Sequence, residues 1–128
     1  MAATTKAPTI SENEGQGTDI LQPTSLQANP PTLQNLKDFL AQSVAKYGGN
    51  YYQLEKVIQC ESGWDNTAKN PDSAASGIAQ FMPGTFADYC GGDYKDPFAQ
   101  IHCLVVAWTG GNQSWWSASE GCWGQLKN

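Results

Sequence analysis

Residues 60–82 read CESGWDNTAKNPDSAASGIAQFM, and the reading of this stretch decides what the chain builds. It joins the end of a helical pattern to a glycine-led apolar segment. The residues before it, Asn50-Tyr-Tyr-Gln-Leu-Glu-Lys-Val-Ile-Gln-Cys-Glu61, repeat apolar side chains at helical spacing. Tyr51, Leu54, Val57 and Ile58 share one face, and Glu61 joins it one helical turn after Val57. Asn50 offers an N-cap oxygen, and Gly63 is placed to end the helix. A carboxyl group is therefore expected on the inward side of a helix, at its C-terminal end. Burial and the negative end of the helix dipole both disfavour the carboxylate there. A glutamate held partly protonated near neutral pH is what a general acid requires. The plainer reading is a glutamate exposed at a frayed helix end, and periodicity alone does not separate the two.

Downstream, Asn70-Pro71-Asp72-Ser73 reads as a turn. Ser76-Gly77-Ile78-Ala79-Gln80-Phe81-Met82-Pro83-Gly84 follows as an apolar segment carrying one amide. Gly77 would let a backbone or a ligand approach closely, and Gln80 would aim hydrogen bonds into a cleft.

These pieces in this order resemble the soluble lytic transglycosylase (SLT) domain, which is related to goose-type lysozyme (glycoside hydrolase family 23). The resemblance rests on Glu61-Ser62, the turn at Asn70-Pro71, Ser76-Gly77-Ile78-Ala79-Gln80, and Met82-Pro83-Gly84-Thr85. It extends over roughly residues 33–109 and includes a helix opening Asp96-Pro97-Phe98-Ala99-Gln100-Ile101. It implies a mainly α (α+β lysozyme-like) fold, a small helical domain with a short loop or β element flanking an active-site cleft. It also implies Glu61 as the catalytic acid. Asn70, Asp72, Ser76, Gly77, Gln80, Met82 and Tyr89 are the residues expected to bind substrate. The loop between Pro71 and Gly77 is one residue longer than the family pattern, which blurs the match at Asn70.

The bulk composition bounds this reading. The 128 residues suit one domain with a tail at most, and a core of that size is marginal without reinforcement. Charged residues make up only 15%, whereas five Trp and five Tyr are present. Exposed rings of this kind form stacking platforms for sugars, although core packing is the commoner use of any one Trp. The net charge of −5 and the absence of a basic run argue against nucleic-acid binding. Residues 1–31, rich in Thr, Gln and Pro, read as a disordered linker, leaving 32–128 as the domain. The tail lacks the apolar core of a signal peptide, and no stretch is long enough to span a membrane. A signal or anchor would then have been removed from an exported protein.

Around the central stretch, Thr32 is placed to cap a scaffold helix. Its stripe of Leu33, Leu36, Phe39, Leu40, Val44 and Tyr47 runs to Gly48-Gly49. The Glu61 helix, following after a tight turn, is expected to pack antiparallel to it. Thr85 to Cys90 reads as a short helix stopped by Gly91-Gly92. Asp96-Pro97 starts a longer one, with Phe98, Ile101, Leu104, Val105 and Trp108 as its apolar stripe. His102 falls off that stripe and reads as a surface or packing residue. Asp65 and Asp72 occupy turns where aspartate is common for backbone reasons.

Beyond this helix the resemblance fails. Family members continue with a further helix and an Ala-Tyr-Asn element whose Tyr shapes the site, whereas this chain runs Gly111-Asn112-Gln113-Ser114-Trp115-Trp116-Ser117 to Gly121-Cys122-Trp123. It reads as a C-terminally truncated version. Trp115, Trp116 and Tyr89 are candidates for the missing Tyr, each with packing as the plainer role. Four Cys without zinc-ligand spacing point to two disulfides and an oxidising compartment. Three connectivities exist, and Cys60–Cys122 with Cys90–Cys103 is the one adopted. The first ties the shortened C-terminal part beside Glu61, and the second closes the Gly91-to-Pro97 loop. Each would contribute about 2 to 4 kcal/mol.

The resemblance therefore implies a peptidoglycan-cleaving muramidase acting outside the cytoplasm, secreted or in the cell envelope. It implies no cofactor or metal, and a monomer whose partner is the glycan strand. The favoured route is that of a lytic transglycosylase cutting the β-1,4 bond from N-acetylmuramic acid to N-acetylglucosamine, with Glu61 as the single acid and base. The alternatives are a hydrolytic lysozyme pairing Glu61 with Asp72 or Asp65, a non-catalytic glycan-binding module, and a disulfide-bonded structural domain.

Overall fold

The computed structural model describes residues 30–124. The linker expected over residues 1–31 lies almost wholly outside the described residues. Among the described residues there are five α-helices and one 3₁₀ segment: α1 Leu33–Tyr47, α2 Tyr51–Ser62, α3 Pro83–Tyr89, α4 Pro97–Thr109, the 3₁₀ segment Gln113–Ser119, and α5 Glu120–Trp123. This is the mainly helical fold expected. Its β content among the described residues is two isolated antiparallel bridges, Lys69 with Ser76 and Ser76 with Phe81.

Local sequence accounts for the ends of the helices. The Asn50 side chain accepts from the Gln53 amide at 3.0 Å, capping α2. Gly63 ends α2 in the left-handed conformation (φ 63°), and its N–H reaches the carbonyls of Gln59 and Ile58. Asp96 caps α4 by accepting from the Phe98 amide at 2.9 Å, with Pro97 in the first turn. The third helix starts at Pro83, two residues before the expected Thr85, because proline at a first helical position brings its φ already set.

The core centres on α4. Ile101, Cys103, Leu104, Val105, Ala107 and Trp108 are buried there, against Leu36 and Leu40 of α1 and Leu54, Val57 and Ile58 of α2. Although α2 follows α1 by a tight turn, the principal neighbour of α1 is α4. Phe39 meets Phe98 edge-on at 5.1 Å, and Tyr47 meets His102 at 5.3 Å. The Tyr47 hydroxyl also lies 3.2 Å from His102 Nε2. The second helix packs chiefly on the C-terminal segment. There Trp116 and Trp123 are buried against Trp108, with ring centroids 5.8 and 4.9 Å away.

Two disulfides lock this arrangement, Cys60–Cys122 between α2 and α5 and Cys90–Cys103 between the end of α3 and α4. Among the described residues, no helix is long and apolar enough to cross a membrane.

Candidate active site at the end of the second helix

Glu61 sits in the last turn of α2, half-buried, one turn after the buried Val57. Burial raises its carboxyl pKa above the ordinary value, and a hydrogen bond donated by the Ser119 hydroxyl to Oε2 opposes part of that rise. The C-terminal end of α2 adds a field of the same sign as burial. Among the described residues no hydrogen bond is made to Oε1, and it is not a buried, unpartnered atom. The side chain thus has one oxygen held by the protein and one open.

Ser119 belongs to a small polar cluster. Its Oγ accepts from the Trp123 indole N–H at 3.0 Å and lies 3.1 Å from the Trp116 carbonyl. The Trp123 indole also reaches that carbonyl at 3.1 Å. The Trp116 indole in turn donates to the Ala79 carbonyl at 2.9 Å. The 3₁₀ segment is thereby stitched to the residue 76–82 segment on one side and to Glu61 on the other.

The 76–82 segment is suspended by side chains. Ser62 Oγ donates to the Ile78 carbonyl at 2.7 Å, so the residue after Glu61 binds the segment directly to α2. From α4, the wholly buried Gln100 accepts from the Ala79 amide at 3.0 Å and donates to the carbonyls of Ser76 (3.2 Å) and Tyr94 (2.9 Å). The Tyr94 hydroxyl accepts from the Ser76 amide at 3.1 Å and donates to the Phe81 carbonyl. Gly77 has φ 91°, and a Cβ there would lie 2.4 Å from Gln100 Nε2. The group pressed against Gly77 is therefore this buried amide. Gln80 also has a left-handed backbone (φ 56°), held by its own amide nitrogen, which donates to Ala68 (3.0 Å) and Gly77 (2.8 Å) carbonyls. Both of these bonds use the side-chain nitrogen, and Oε1 takes no part in them.

In the 64–76 loop, Asn70 Oδ1 accepts from the Asp72 amide at 2.7 Å, an Asx turn that leaves Asp72 exposed. Asp65 is fully exposed, and its carboxylate accepts from the Thr67 amide (2.8 Å) and hydroxyl (2.6 Å), which lower its pKa. Met82 is exposed at the start of α3. Tyr89 and Trp115, also exposed, meet edge to face at 5.2 Å. An open groove of about 390 Å³ on the outer face of α2, lined by Lys37, Tyr52, Glu55, Lys56, Gln59 and Trp64, does not include Glu61.

The structure brings Ser76, Gly77 and Gln80 together in one supported segment, and joins Glu61 to it through Ser62. The side chain that reaches Glu61 is Ser119, rather than Trp115, Trp116 or Tyr89. Ser62 and Gln100 have places in matching elements of the sequence but no role there, and neither Ser119 nor Tyr94 is singled out by it. Gln100 lies beside the apolar stripe of α4 rather than within it, so the spacing carries no signal for its buried role.

A helical, lysozyme-like domain with a half-buried glutamate in the last turn of a helix is the class of protein this arrangement defines. The family model for the transglycosylase SLT domain matches residues 38–102, and the chain belongs to that family. No curated protein and no solved structure matches the chain. The matched span contains Glu61 and the 76–82 segment, and it ends before Ser119.

Proposed function

We propose that the protein is a peptidoglycan lytic transglycosylase with Glu61 as its single general acid and base. The observation that carries this reading is the state of Glu61, a half-buried carboxyl with raised pKa, one oxygen held by Ser119 and the other open. Membership of the SLT family supports the substrate class. Protonated Glu61 gives its hydrogen to the glycosidic oxygen between N-acetylmuramic acid and N-acetylglucosamine. The bond to C1 breaks as the neighbouring acetamido oxygen of the muramoyl residue bonds to that carbon. Ionised Glu61 then takes the hydrogen of the C6 hydroxyl, whose oxygen displaces the acetamido group. A 1,6-anhydro sugar forms, Glu61 is reprotonated, and no water is consumed.

That route needs no second carboxylate. An inverting hydrolase would need one across the sugar ring at roughly 6.5 to 9.5 Å. Asp65 is a poor base for that task, because the Thr67 hydrogen bonds already satisfy and stabilise its charge. In the proposed complex, the glycan lies along the 76–82 segment. Gln80 Oε1, Ser76, Asn70 and Asp72 supply polar contacts, Met82 and Tyr89 apolar ones, and the buried Gly77 shapes the segment from within. The two disulfides fit an extracytoplasmic place of action.

The test is release of soluble fragments from purified peptidoglycan by the oxidised protein and by Glu61→Gln. The variant is expected to lose activity by about a hundredfold or more. Equal release by both proteins would reject the reading.

A further inference from the structure

Glu61 has two carboxyl oxygens in different surroundings, and the difference is made by residues outside the span that defines the family match. Oε2 receives the Ser119 hydroxyl, 58 residues away in sequence. Among the described residues no hydrogen bond is made to Oε1.

The Ser119 hydroxyl carries one hydrogen and has two acceptors within reach, Glu61 Oε2 and the Trp116 carbonyl at 3.1 Å. The Trp123 indole N–H decides between them. It shares its one hydrogen between the Trp116 carbonyl at 3.1 Å and Ser119 Oγ at 3.0 Å. The Trp116 carbonyl and one lone pair of Ser119 both receive hydrogen from Trp123, and the hydroxyl hydrogen goes to Glu61 Oε2, the closer and stronger acceptor. Trp123 is 3% exposed, packed edge-on against Trp108 at 4.9 Å, and the next residue back, Cys122, is tied to Cys60 beside Glu61. The donor that sets Ser119 is therefore itself fixed.

We propose that Ser119 is a positioning residue that selects which oxygen of Glu61 carries the catalytic proton. Resting on the acid and base role given to Glu61 above, the assignment is that Ser119 holds Oε2 as an acceptor and so puts the acid hydrogen on Oε1. As that hydrogen moves to the glycosidic oxygen, charge spreads onto Oε2, and the hydrogen bond from Ser119 strengthens as the transition state forms. The contact then holds the carboxylate in place for its second task, accepting the C6 hydrogen at Oε1. The elements packed against α2 carry Lys37, Asp38 and Lys46 on α1 and Glu120 on α5. Burial is the larger cause of the shift of Glu61, and the Ser119 hydrogen bond opposes it.

The experiment compares Ser119→Ala, Ser119→Thr and Trp123→Phe with the natural protein, all with disulfides intact. It reads kcat and KM on peptidoglycan across pH, together with the carboxyl titration of carbon-labelled Glu61 by NMR. Ser119→Ala is expected to lower kcat by about tenfold to a hundredfold with little change in KM. Its alkaline limb and its Glu61 titration should both move to higher pH, because a donor to the carboxylate has gone. Thr, which keeps the hydroxyl, should restore most of kcat, and Trp123→Phe should follow Ala in direction with a smaller effect. An unchanged kcat and an unchanged Glu61 titration in Ser119→Ala would overturn the assignment. So would a fall in kcat that Thr fails to restore while the titration stays put, which marks a structural role. Full activity in Glu61→Gln is a different result, and it would bring down the underlying reading together with this one.

Discussion

Ser119 donates its hydroxyl to the carboxyl of Glu61 across 58 residues of sequence, and the Cys60–Cys122 disulfide ties together the chain next to each of them. Cys60 directly precedes Glu61, and Cys122 lies one helical turn after Ser119. The covalent link and the hydrogen bond therefore act on the same junction of α2 with the C-terminal segment. A domain of this size has little apolar core to hold such a junction by packing alone.

Removing the two disulfides one at a time should have unequal effects. By loop length, Cys60–Cys122 with a separation of 62 contributes about 4 kcal/mol to stability, and Cys90–Cys103 with a separation of 13 about 3 kcal/mol. Activity should separate further than stability does, because only the first loss frees Ser119 from Glu61. Denaturant titrations and glycan release of the two double Cys→Ala variants check this. Equal activity in the two variants would count against it.

Glu61→Gln should be more stable than the natural protein at neutral pH. The folded pKa of Glu61 lies above its unfolded value. The protonated native form is therefore favoured below the unfolded pKa of about 4.3, and that advantage is lost as pH rises to the folded pKa. Above it, the natural protein carries the full cost of an ionised, half-buried carboxyl that Gln does not have. Thermal melts should show a gap that opens above about pH 4 and then levels off. A gap independent of pH would contradict the titration assigned to Glu61.

Gly77→Ala should destabilise the fold by about 2 to 3 kcal/mol. A Cβ would meet the buried Gln100 amide at 2.4 Å, at a backbone φ of 91° that L-residues rarely adopt. Urea unfolding measures the loss, and a variant as stable as the natural protein would show that the segment can move away from α4.

Tyr94→Phe should lose about 1 to 3 kcal/mol, because its hydroxyl joins the Ser76 amide to the Phe81 carbonyl. Circular dichroism during urea unfolding checks the figure.

The parts of this molecule legible in the sequence are those governed by local rules. The helical spacing of Tyr51, Leu54, Val57 and Ile58 locates the buried face of α2, and Asn50, Gly63 and Asp96 mark helix ends by their own capping chemistry. Partner choice is less local. That α1 packs chiefly on α4 rather than on α2 follows from the match of whole faces, such as Phe39 against Phe98, which no single stripe encodes. The hydrogen bonds around Glu61 are less legible still. Ser119 lies in a 3₁₀ segment without apolar period, and a serine there looks like any other turn serine until Trp123 and Glu61 are brought to it. Gln100 and Tyr94 likewise show their purpose only when the 76–82 segment has been laid against them.

The most direct test of the central claim is digestion of purified peptidoglycan in heavy-oxygen water, with the fragments weighed by mass spectrometry. A single glutamate that serves as acid and then as base yields 1,6-anhydro ends, one water lighter than the hydrolysis product and free of the heavy oxygen. Reducing ends carrying heavy oxygen would show that water is the acceptor and would contradict the account.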